Sequence, residues 1–203
     1  MAAFERFVSL ELGRRTEPFD HEEWLFELKY DGFRARAEVS DGKAEFFSRR
    51  GRPYQAWPGL FDAIGRDLRG HRAVLDGELV CLDGKGRPIF LDLLHRRRRP
   101  VFIAFDLLHL DGEDLREGSL VERKALLARL IPENSFSLLY AQHVVFSGRA
   151  LFRQACALDL EGIVAKLASA PYRATQPPHW LAIKNPTYSQ GGGRNELFEK
   201  PRR

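Results

Sequence analysis

Short segments rich in aliphatic and aromatic residues recur along this sequence, and Asp-Gly pairs separate several of them. They predict strands over the following ranges: Trp24–Leu28, Phe33–Val39, Ala44–Ser48, Ala73–Cys81, Val101–Leu108, Gly162–Leu167 and Trp180–Lys184. Three further segments predict helices: Trp57–Leu68, Ser119–Leu130 and Ala150–Leu158. Because strands outnumber helices and do not alternate regularly with them, we expect an α+β fold with largely antiparallel sheets and flanking helices.

The length of 203 residues, 44% of them hydrophobic, is enough for one domain with its own core. The sequence contains no internal repeat and no interior linker. Near its end, Gly191-Gly192-Gly193 opens a segment that is poor in apolar residues. We therefore expect one domain over residues 1–190 and a flexible tail over residues 191–203.

Hydropathy and charge exclude several classes of protein. No apolar run approaches the eighteen residues or so of a membrane span, so we expect a cytoplasmic protein without membrane association. Cys81 and Cys156 lack C-x-x-C spacing, which argues against zinc or a disulfide and predicts two core thiols. The net charge of +4 permits a polyanionic partner without requiring one.

Lysine is scarce in this sequence. Only seven of the 32 basic residues are lysines, so arginine supplies most of the positive charge. Arginine stays protonated in proteins, whereas a desolvated lysine can lose its proton and act as a nucleophile. A lysine within a motif is therefore a candidate catalytic residue.

Lys29 stands at the end of a predicted strand and opens the hexapeptide Lys-Tyr-Asp-Gly-Phe-Arg. In an extended segment Lys29 and Asp31 can share one face, and Gly32 allows the chain to turn so that Arg34 returns on the next strand. We expect an amine, a carboxylate and a guanidinium to converge there. Neighbouring cations and apolar burial depress the pKa of a lysine amine, as nucleophilic attack requires. The alternative is a surface hairpin with an incidental ion pair.

Asp76 and Glu78 flank Gly77 inside an otherwise apolar strand. A buried carboxylate needs a partner, so we expect Glu78 to meet a hydroxyl, a cation or a metal. The alternative is an Asp-Gly hairpin turn with both acids in water.

Two phenylalanines in the strand Val101–Leu108 lie three positions apart and therefore on opposite faces. One ring of the pair Phe102 and Phe105 can line a pocket as a platform for a purine base, while the other packs in the core. The alternative is that both are core residues.

Scarce lysines also end two further apolar strands, at Lys166 and Lys184. Trp180, Ala182 and Lys184 share one face of their strand. Because no glycine-rich loop follows any strand, side chains must hold the phosphates of any bound nucleotide. The alternative places both lysines in solvent.

Two arginine clusters remain. Arg49 and Arg50 close a strand and can point into the same cleft, whereas the run Arg96–Arg99 is typical of a solvated loop that can touch DNA phosphates.

Together, five motifs in this order resemble the catalytic (adenylation) domain of ATP-dependent DNA ligases, within the covalent nucleotidyltransferase superfamily. The likeness is greatest to the ligase modules of bacterial end-joining systems. It runs from Pro18-Phe19-Asp20 through Trp24–Lys29 to Ile183-Lys184-Asn185-Pro186. It implies an ATP-grasp-like nucleotidyltransferase domain that forms lysyl-AMP and seals nicks during DNA repair.

The resemblance also implies a role for each motif residue. Lys29 would be the nucleophile that attacks the α-phosphate of ATP. The remaining ATP-binding residues would be Glu27, Leu28, Arg34, Arg49, Glu78, Phe105, Lys166 and Lys184. Within this set, Phe105 would stack on the base, Glu78 would contact the ribose, and Lys184 would neutralise the α-phosphate.

Metal and DNA contacts follow from the same likeness. Glu161 and Glu78 would hold Mg²⁺ or Mn²⁺. The DNA-contacting residues would be Arg49, Arg50 and Arg97, the first of them at the 5′-phosphate of a nick. We expect a monomer that binds nicked double-stranded DNA.

Two departures from the family pattern qualify these expectations. The family usually reads Trp-Leu-Lys-x-Lys where this sequence has Ala182, so one cation is missing from the pocket. The sequence also ends without the oligonucleotide-binding (OB) domain that usually follows. Either that domain was removed or the protein is a minimal ligase, and a separate OB-type or end-joining partner could replace it.

Two other functions stay open at this stage. An RNA ligase or an mRNA-capping guanylyltransferase would use the same lysine chemistry and would be recognised by sealing of RNA or by a preference for GTP. A non-catalytic module that binds nucleotides or DNA ends would fail to seal a pre-adenylated nick.

Overall fold

The computed structural model describes residues 9–191, which form eleven strands and four α-helices. The strands are β1 Gly13–Arg14, β2 His21–Leu28, β3 Phe33–Ser40, β4 Lys43–Ser48, β5 Ala73–Val80, β6 Val101–Leu110, β7 Glu113–Asp114, β8 Leu138–Tyr140, β9 His143–Phe146, β10 Gly162–Leu167 and β11 Trp180–Lys184. The helices are α1 Pro58–Asp67, α2 Phe90–Leu94, α3 Leu120–Leu130 and α4 Gly148–Ala157, and a 3₁₀ turn spans Ser189–Gly191. Of the tail predicted over residues 191–203, residues 192–203 lie outside the described residues.

The strands form two sheets. The first has the order β1-β11-β10-β2-β9, and the second has the order β4-β3-β5-β6-β7 with β8 paired to β6. Pairing is antiparallel except between β1 and β11 and between β6 and β8. The prediction of an α+β fold with largely antiparallel sheets is confirmed.

All seven predicted strands and all three predicted helices are present; β10 and β11 have the predicted bounds, and the other elements shift at one or both ends. The helix predicted from Trp57 begins at Pro58, because Trp57 has a left-handed backbone conformation (φ 64°). The additional elements β1, β7, β8, β9 and α2 are all five residues or shorter. Such short segments carry too few residues for a periodic pattern.

Helix α3 begins with the predicted capping box, in which Ser119 and Glu122 each bond the backbone N–H of the other. A buried ion pair then fixes the helix to the second sheet: the Arg123 guanidinium donates to both carboxylate oxygens of Asp106 in β6, over 2.7 and 2.9 Å. The remaining Arg123 nitrogen donates to the Gly118 and Ala170 carbonyls, so each of the three guanidinium nitrogens makes a hydrogen bond.

The largest core lies on one face of the second sheet, where α1 and α3 cover residues of β3, β5 and β6. Phe46 stacks on Phe61 of α1 at 4.4 Å and meets Phe102 edge-on.

The two cysteines differ in burial. Cys81 is buried, as predicted. The prediction of a core thiol is wrong for Cys156, which lies half-buried on α4, a helix that buries only one face. Within residues 9–191, no helix is long and apolar enough to cross a membrane.

Candidate active site

A cleft of about 1570 Å³ opens between the two sheets. Its walls come from the ends of β2 and β11 on one side and from β3, β5 and β6 on the other. The predicted nucleophile and all eight predicted ATP-binding residues line it: Glu27, Leu28, Lys29, Arg34, Arg49, Glu78, Phe105, Lys166 and Lys184. The structure therefore brings together residues that lie up to 157 positions apart in the sequence.

Lys29 lies directly after β2, and its ammonium donates to Glu161 Oε2 over 2.7 Å. Lys184 Nζ lies 3.0 Å from the other oxygen of the same carboxylate. Glu161 is only 5% exposed, whereas Lys184 is 62% exposed. Burial raises the pKa of Glu161, but the two lysines outweigh it and hold that pKa below its usual range. Two amines thus converge on one buried carboxylate at the cleft.

The carboxylate that meets Lys29 is Glu161, and the prediction that Asp31 faces it is wrong. Residues 29–32 leave β2 and carry the chain across to the second sheet, so the alternation of a strand does not apply to them. Asp31 is buried and accepts a hydrogen bond from the Tyr188 hydroxyl over 3.0 Å. The alternative of an incidental surface hairpin is also wrong, because Lys29 is only 17% exposed.

Gly162 explains how Glu161 reaches Lys29. Its φ of +140° lies in the region that favours glycine, and a Cβ there would collide with the Ile183 carbonyl. The Lys29 N–H donates to the Gly162 carbonyl over 2.9 Å. The sharp backbone at Gly162 therefore fixes the preceding carboxylate beside the end of β2.

Glu27 is fully enclosed and binds two lysines. Lys124 Nζ donates to Glu27 Oε1 and Lys166 Nζ donates to Glu27 Oε2, each over 2.6 Å. Burial raises the pKa of Glu27, but the two ammonium groups overcome this and keep it below its ordinary value. Desolvation lowers the pKa of Lys166 to about 8. We call Glu27, Lys124 and Lys166 the Glu27 network. The negative charge of Glu27 balances one of the two lysine charges at the floor of the cleft.

Phe105 and Trp180 form an aromatic corner, with ring centroids 5.8 Å apart. Lys166 Nζ lies 4.3 Å from the Phe105 centroid and 4.0 Å from that of Trp180. Phe105 lines the cleft, whereas Phe102 is fully buried in the core of the second sheet. The prediction that the two phenylalanines face opposite ways is confirmed.

Arg34 lines the cleft but directs its guanidinium at Asp76. Two hydrogen bonds of 3.1 and 2.6 Å join them, and a third from Arg34 reaches the Leu10 carbonyl. Asp76 is fully buried in the middle of β5 and also accepts from the Tyr172 hydroxyl. The alternative of an Asp-Gly turn in water is wrong, and nucleotide contact by Arg34 stays a prediction.

Glu78 is half-buried on the cleft wall. Desolvation raises its pKa to about 8, against the opposing effect of Lys29 and Arg34, and Glu161 adds to the rise. Glu78 pairs with Arg34 across the second sheet and lines the cleft together with Lys29.

The predicted DNA-contacting arginines separate in the structure. Arg49 and Arg50 line the rim of the cleft, and Arg49 donates to Glu11 over 2.6 Å. Arg97 lies outside the cleft, in the exposed segment between α2 and β6. DNA contact by all three stays a prediction.

Sequence reasoning missed Lys124, Asp76 and Arg14 as site residues. Lys124 lies on a helix, where lysine is ordinarily solvated, and only its scarcity signalled it. Asp76 was noticed as an acid in an apolar strand, without its partner. Arg14 lines the cleft from β1, a two-residue strand without a pattern.

The carboxylates of the cleft fit a divalent metal only if a bound nucleotide supplies further oxygen atoms. Over residues 9–191 no three His, Cys, Asp or Glu side chains are grouped to hold a metal. Mg²⁺ commonly takes one or two carboxylates and completes its shell with water and substrate phosphates. Glu161, which accepts from Lys29, and Glu78 on the cleft wall would supply these carboxylates.

Comparison with known proteins agrees with this geometry. Residues 11–184 match the family model described as ATP dependent DNA ligase domain. The multifunctional non-homologous end joining protein LigD of Pseudomonas aeruginosa is 34% identical over 185 residues, covering 88% of this chain and 22% of that protein. A DNA ligase of Cenarchaeum symbiosum is 33% identical and matches 84% of this chain and 32% of its own length.

Among solved structures, mycobacterial DNA ligase D complexed with ATP and MES superposes with a TM-score of 0.78 at 32% identity, covering 89% of this chain and 61% of that one. The chain thus spans about a fifth of the first LigD relative and under two thirds of the mycobacterial ligase structure. The match over most of the chain and the cleft that surrounds Lys29 lead to one assignment: this chain belongs to the ATP-dependent DNA ligase domain family.

Proposed function

We propose that this domain transfers AMP from ATP to Lys29 and then to DNA, and so seals nicks in double-stranded DNA. The observation that carries the proposal is the meeting of Lys29 and Lys184 on Glu161 at the cleft between the sheets. An amine held at a cleft wall beside a second, exposed cation is suited to attack a phosphate whose charge the second cation neutralises.

In the first step, Lys29 Nζ forms a bond to the α-phosphorus while the bond from that phosphorus to the bridging oxygen of pyrophosphate breaks. The electron pair leaves with pyrophosphate and the amine proton passes to water. An ammonium is not a nucleophile, so Lys29 must leave its ion pair with Glu161 and release a first proton to water before it attacks. In the later steps a DNA 5′-phosphate accepts AMP, and a 3′-hydroxyl attacks the activated phosphate and releases AMP.

Two features of the cleft would bind the base and the phosphates of ATP. The aromatic corner of Phe105 and Trp180 offers the base a stacking surface, which is worth about 1–3 kcal/mol per base. The exposed amine of Lys184 faces the phosphates from the opposite end of β11.

Glu161 and Glu78 would hold Mg²⁺ or Mn²⁺ together with phosphate oxygens. The metal, when bound, supplies positive charge to the transferring phosphoryl group. Glu161 would hold the metal with the carboxylate oxygens that now accept from Lys29 and Lys184.

Nicked DNA would lie across the basic rim. Arg49 and Arg50 at the cleft edge, with Arg97 beyond it, would bind phosphates and make the affinity salt-dependent. A separate OB-type or end-joining protein would add further contacts to the DNA. A cytoplasmic location and a monomeric state stay predictions.

The decisive experiment is incubation with α-labelled ATP or GTP and Mg²⁺, followed by detection of an acid-labile protein adduct. We expect labelling by ATP, its loss in Lys29→Ala, and its retention in Lys43→Ala, which removes an exposed lysine of β4. A GTP preference would point to capping chemistry. Absence of any adduct, with failure to seal a pre-adenylated DNA nick, would leave a binding module and refute the proposal.

A further inference from the structure

Arg14 occupies a place on the cleft wall that the roles above leave unused. It ends β1, which pairs in parallel with β11 so that Arg14 stands beside Ala182. Neighbours paired across a sheet project to the same face. Ala182 lines the cleft together with Trp180 and Lys184. The register therefore puts the Arg14 side chain on the cleft face, next to the smallest side chain of that wall.

Among residues 9–191, Arg14 is exposed and has no hydrogen bond or ion pair from its guanidinium. Its neighbour Arg15 has the same charge and also reaches the cleft rim, but its guanidinium is occupied. Arg15 Nε donates to the Glu17 carbonyl over 3.0 Å, and its guanidinium carbon lies 4.4 Å from the centre of the Phe19 ring. Arg14 is thus the arginine of this pair that is available to a ligand.

The order of strands sets the direction in which Arg14 lies. Lys29 follows β2, Glu161 precedes β10, Lys184 ends β11, and Arg14 ends β1, in the spatial order β2-β10-β11-β1. Strands are spaced by about 4.8 Å. A phosphorus held between Lys29 and Lys184 therefore has Arg14 on the side away from the attacking amine. In-line displacement sends the leaving group to that side.

We propose that Arg14 binds the β- and γ-phosphates of ATP and stabilises the pyrophosphate that leaves when Lys29 is adenylated. This inference rests on the proposed function, because it assigns one end of the same reaction. Guanidinium bonds to phosphate are charge-assisted and can be bidentate, so one arginine can serve two phosphates.

The test compares Arg14→Ala with Arg15→Ala, which removes the same charge one residue away. We expect Arg14→Ala to raise about tenfold the ATP concentration for half-maximal labelling, the effect of one charge-assisted bond. The pyrophosphate concentration that discharges the adenylated protein should rise similarly. Arg15→Ala should change both by less than about twofold, as a rim charge does. Adding Ala182→Lys to Arg14→Ala should restore part of the loss, since both positions share one face.

Sealing of a pre-adenylated nick separates this role from DNA binding. We expect Arg14→Ala to seal that substrate at the wild-type rate, because the pyrophosphate has already left. A loss confined to sealing would place Arg14 on DNA and overturn the inference, as would equal effects of the two variants on labelling. If the wild-type protein forms no adduct, calorimetry decides: weaker binding of ATP but unchanged binding of AMP in Arg14→Ala supports the inference, and parallel changes refute it.

Discussion

Replacing Lys124 by methionine tests whether the Glu27 network holds the floor of the cleft. The substitution keeps most of the side-chain volume but removes an ammonium that is 2% exposed and donates to Glu27 and to the Ala141 carbonyl. Removing one partner of a buried ion pair costs about 3–5 kcal/mol. Because Lys166 still binds the other oxygen of Glu27, we expect the lower end, about 3 kcal/mol.

In a domain of this size, each kcal/mol lowers Tm by about 2–4 °C, so Lys124→Met should lower it by about 6–12 °C. Thermal unfolding followed by circular dichroism measures this. Arg129→Met is the matched control, because Arg129 is exposed near the end of the same helix, and its loss should cost under about 1 kcal/mol.

A double-mutant cycle with Glu27→Gln identifies the source of the effect. Glu27→Gln alone leaves two buried ammonium groups without their counter-charge, whereas the double variant removes one of them as well. We therefore expect the double variant to lose at least about 1 kcal/mol less than the two single losses added together. Additive losses, or a Tm for Lys124→Met within about 2 °C of that of Arg129→Met, would refute the reasoning.

Two further predictions concern the walls of the cleft. The pKa of Glu78 is about 8 in the folded protein, raised chiefly by desolvation from its ordinary value of 4.5. Between these two pH values the folded state holds a proton that the unfolded chain has released. The stabilising effect of that proton is lost as pH rises from about 4.5 to 8. The Tm of Glu78→Gln should therefore rise relative to the Tm of the wild type across this range. A Tm difference that does not change with pH would contradict the assignment. Phe105→Ala should weaken ATP binding about 5- to 150-fold by loss of stacking, measured by calorimetry, while Phe105→Tyr stays near wild type; unchanged affinity in Phe105→Ala would remove the base from this corner.

The sequence was sufficient to predict every strand that carries the site except β1, because each of the others is long enough for an alternating or continuous apolar pattern, whereas β1 has two residues. The short strands β8 and β9 were missed. β8 has three residues and pairs in parallel with β6, a contact that depends on the fold and not on its own pattern. Helix α2, with five residues, was missed for the same reason.

Site residues were predictable where a motif presents them and unpredictable where two distant segments meet. Lys29 was identified from its scarcity and its place at a strand end. Its partner was mistaken for Asp31, because strand alternation was extended into residues 29–32, where the chain leaves the sheet. Lys124 could not be paired with Glu27 from the sequence, since 97 positions separate them.

The Glu27 network lies where the chain passes between the two sheets. Over residues 9–191 the backbone passes from one sheet to the other only twice, at residues 29–32 and at residues 141–142. Lys124 binds Glu27 just before the first passage and the Ala141 carbonyl at the second. The ammonium group of Lys124 thus makes a hydrogen bond at each of the two connections between the sheets. Lys29 follows a strand of the first sheet, and Phe105 lies in a strand of the second. We therefore expect the contacts of Lys124 to set the distance between the Lys29 amine and the Phe105 ring.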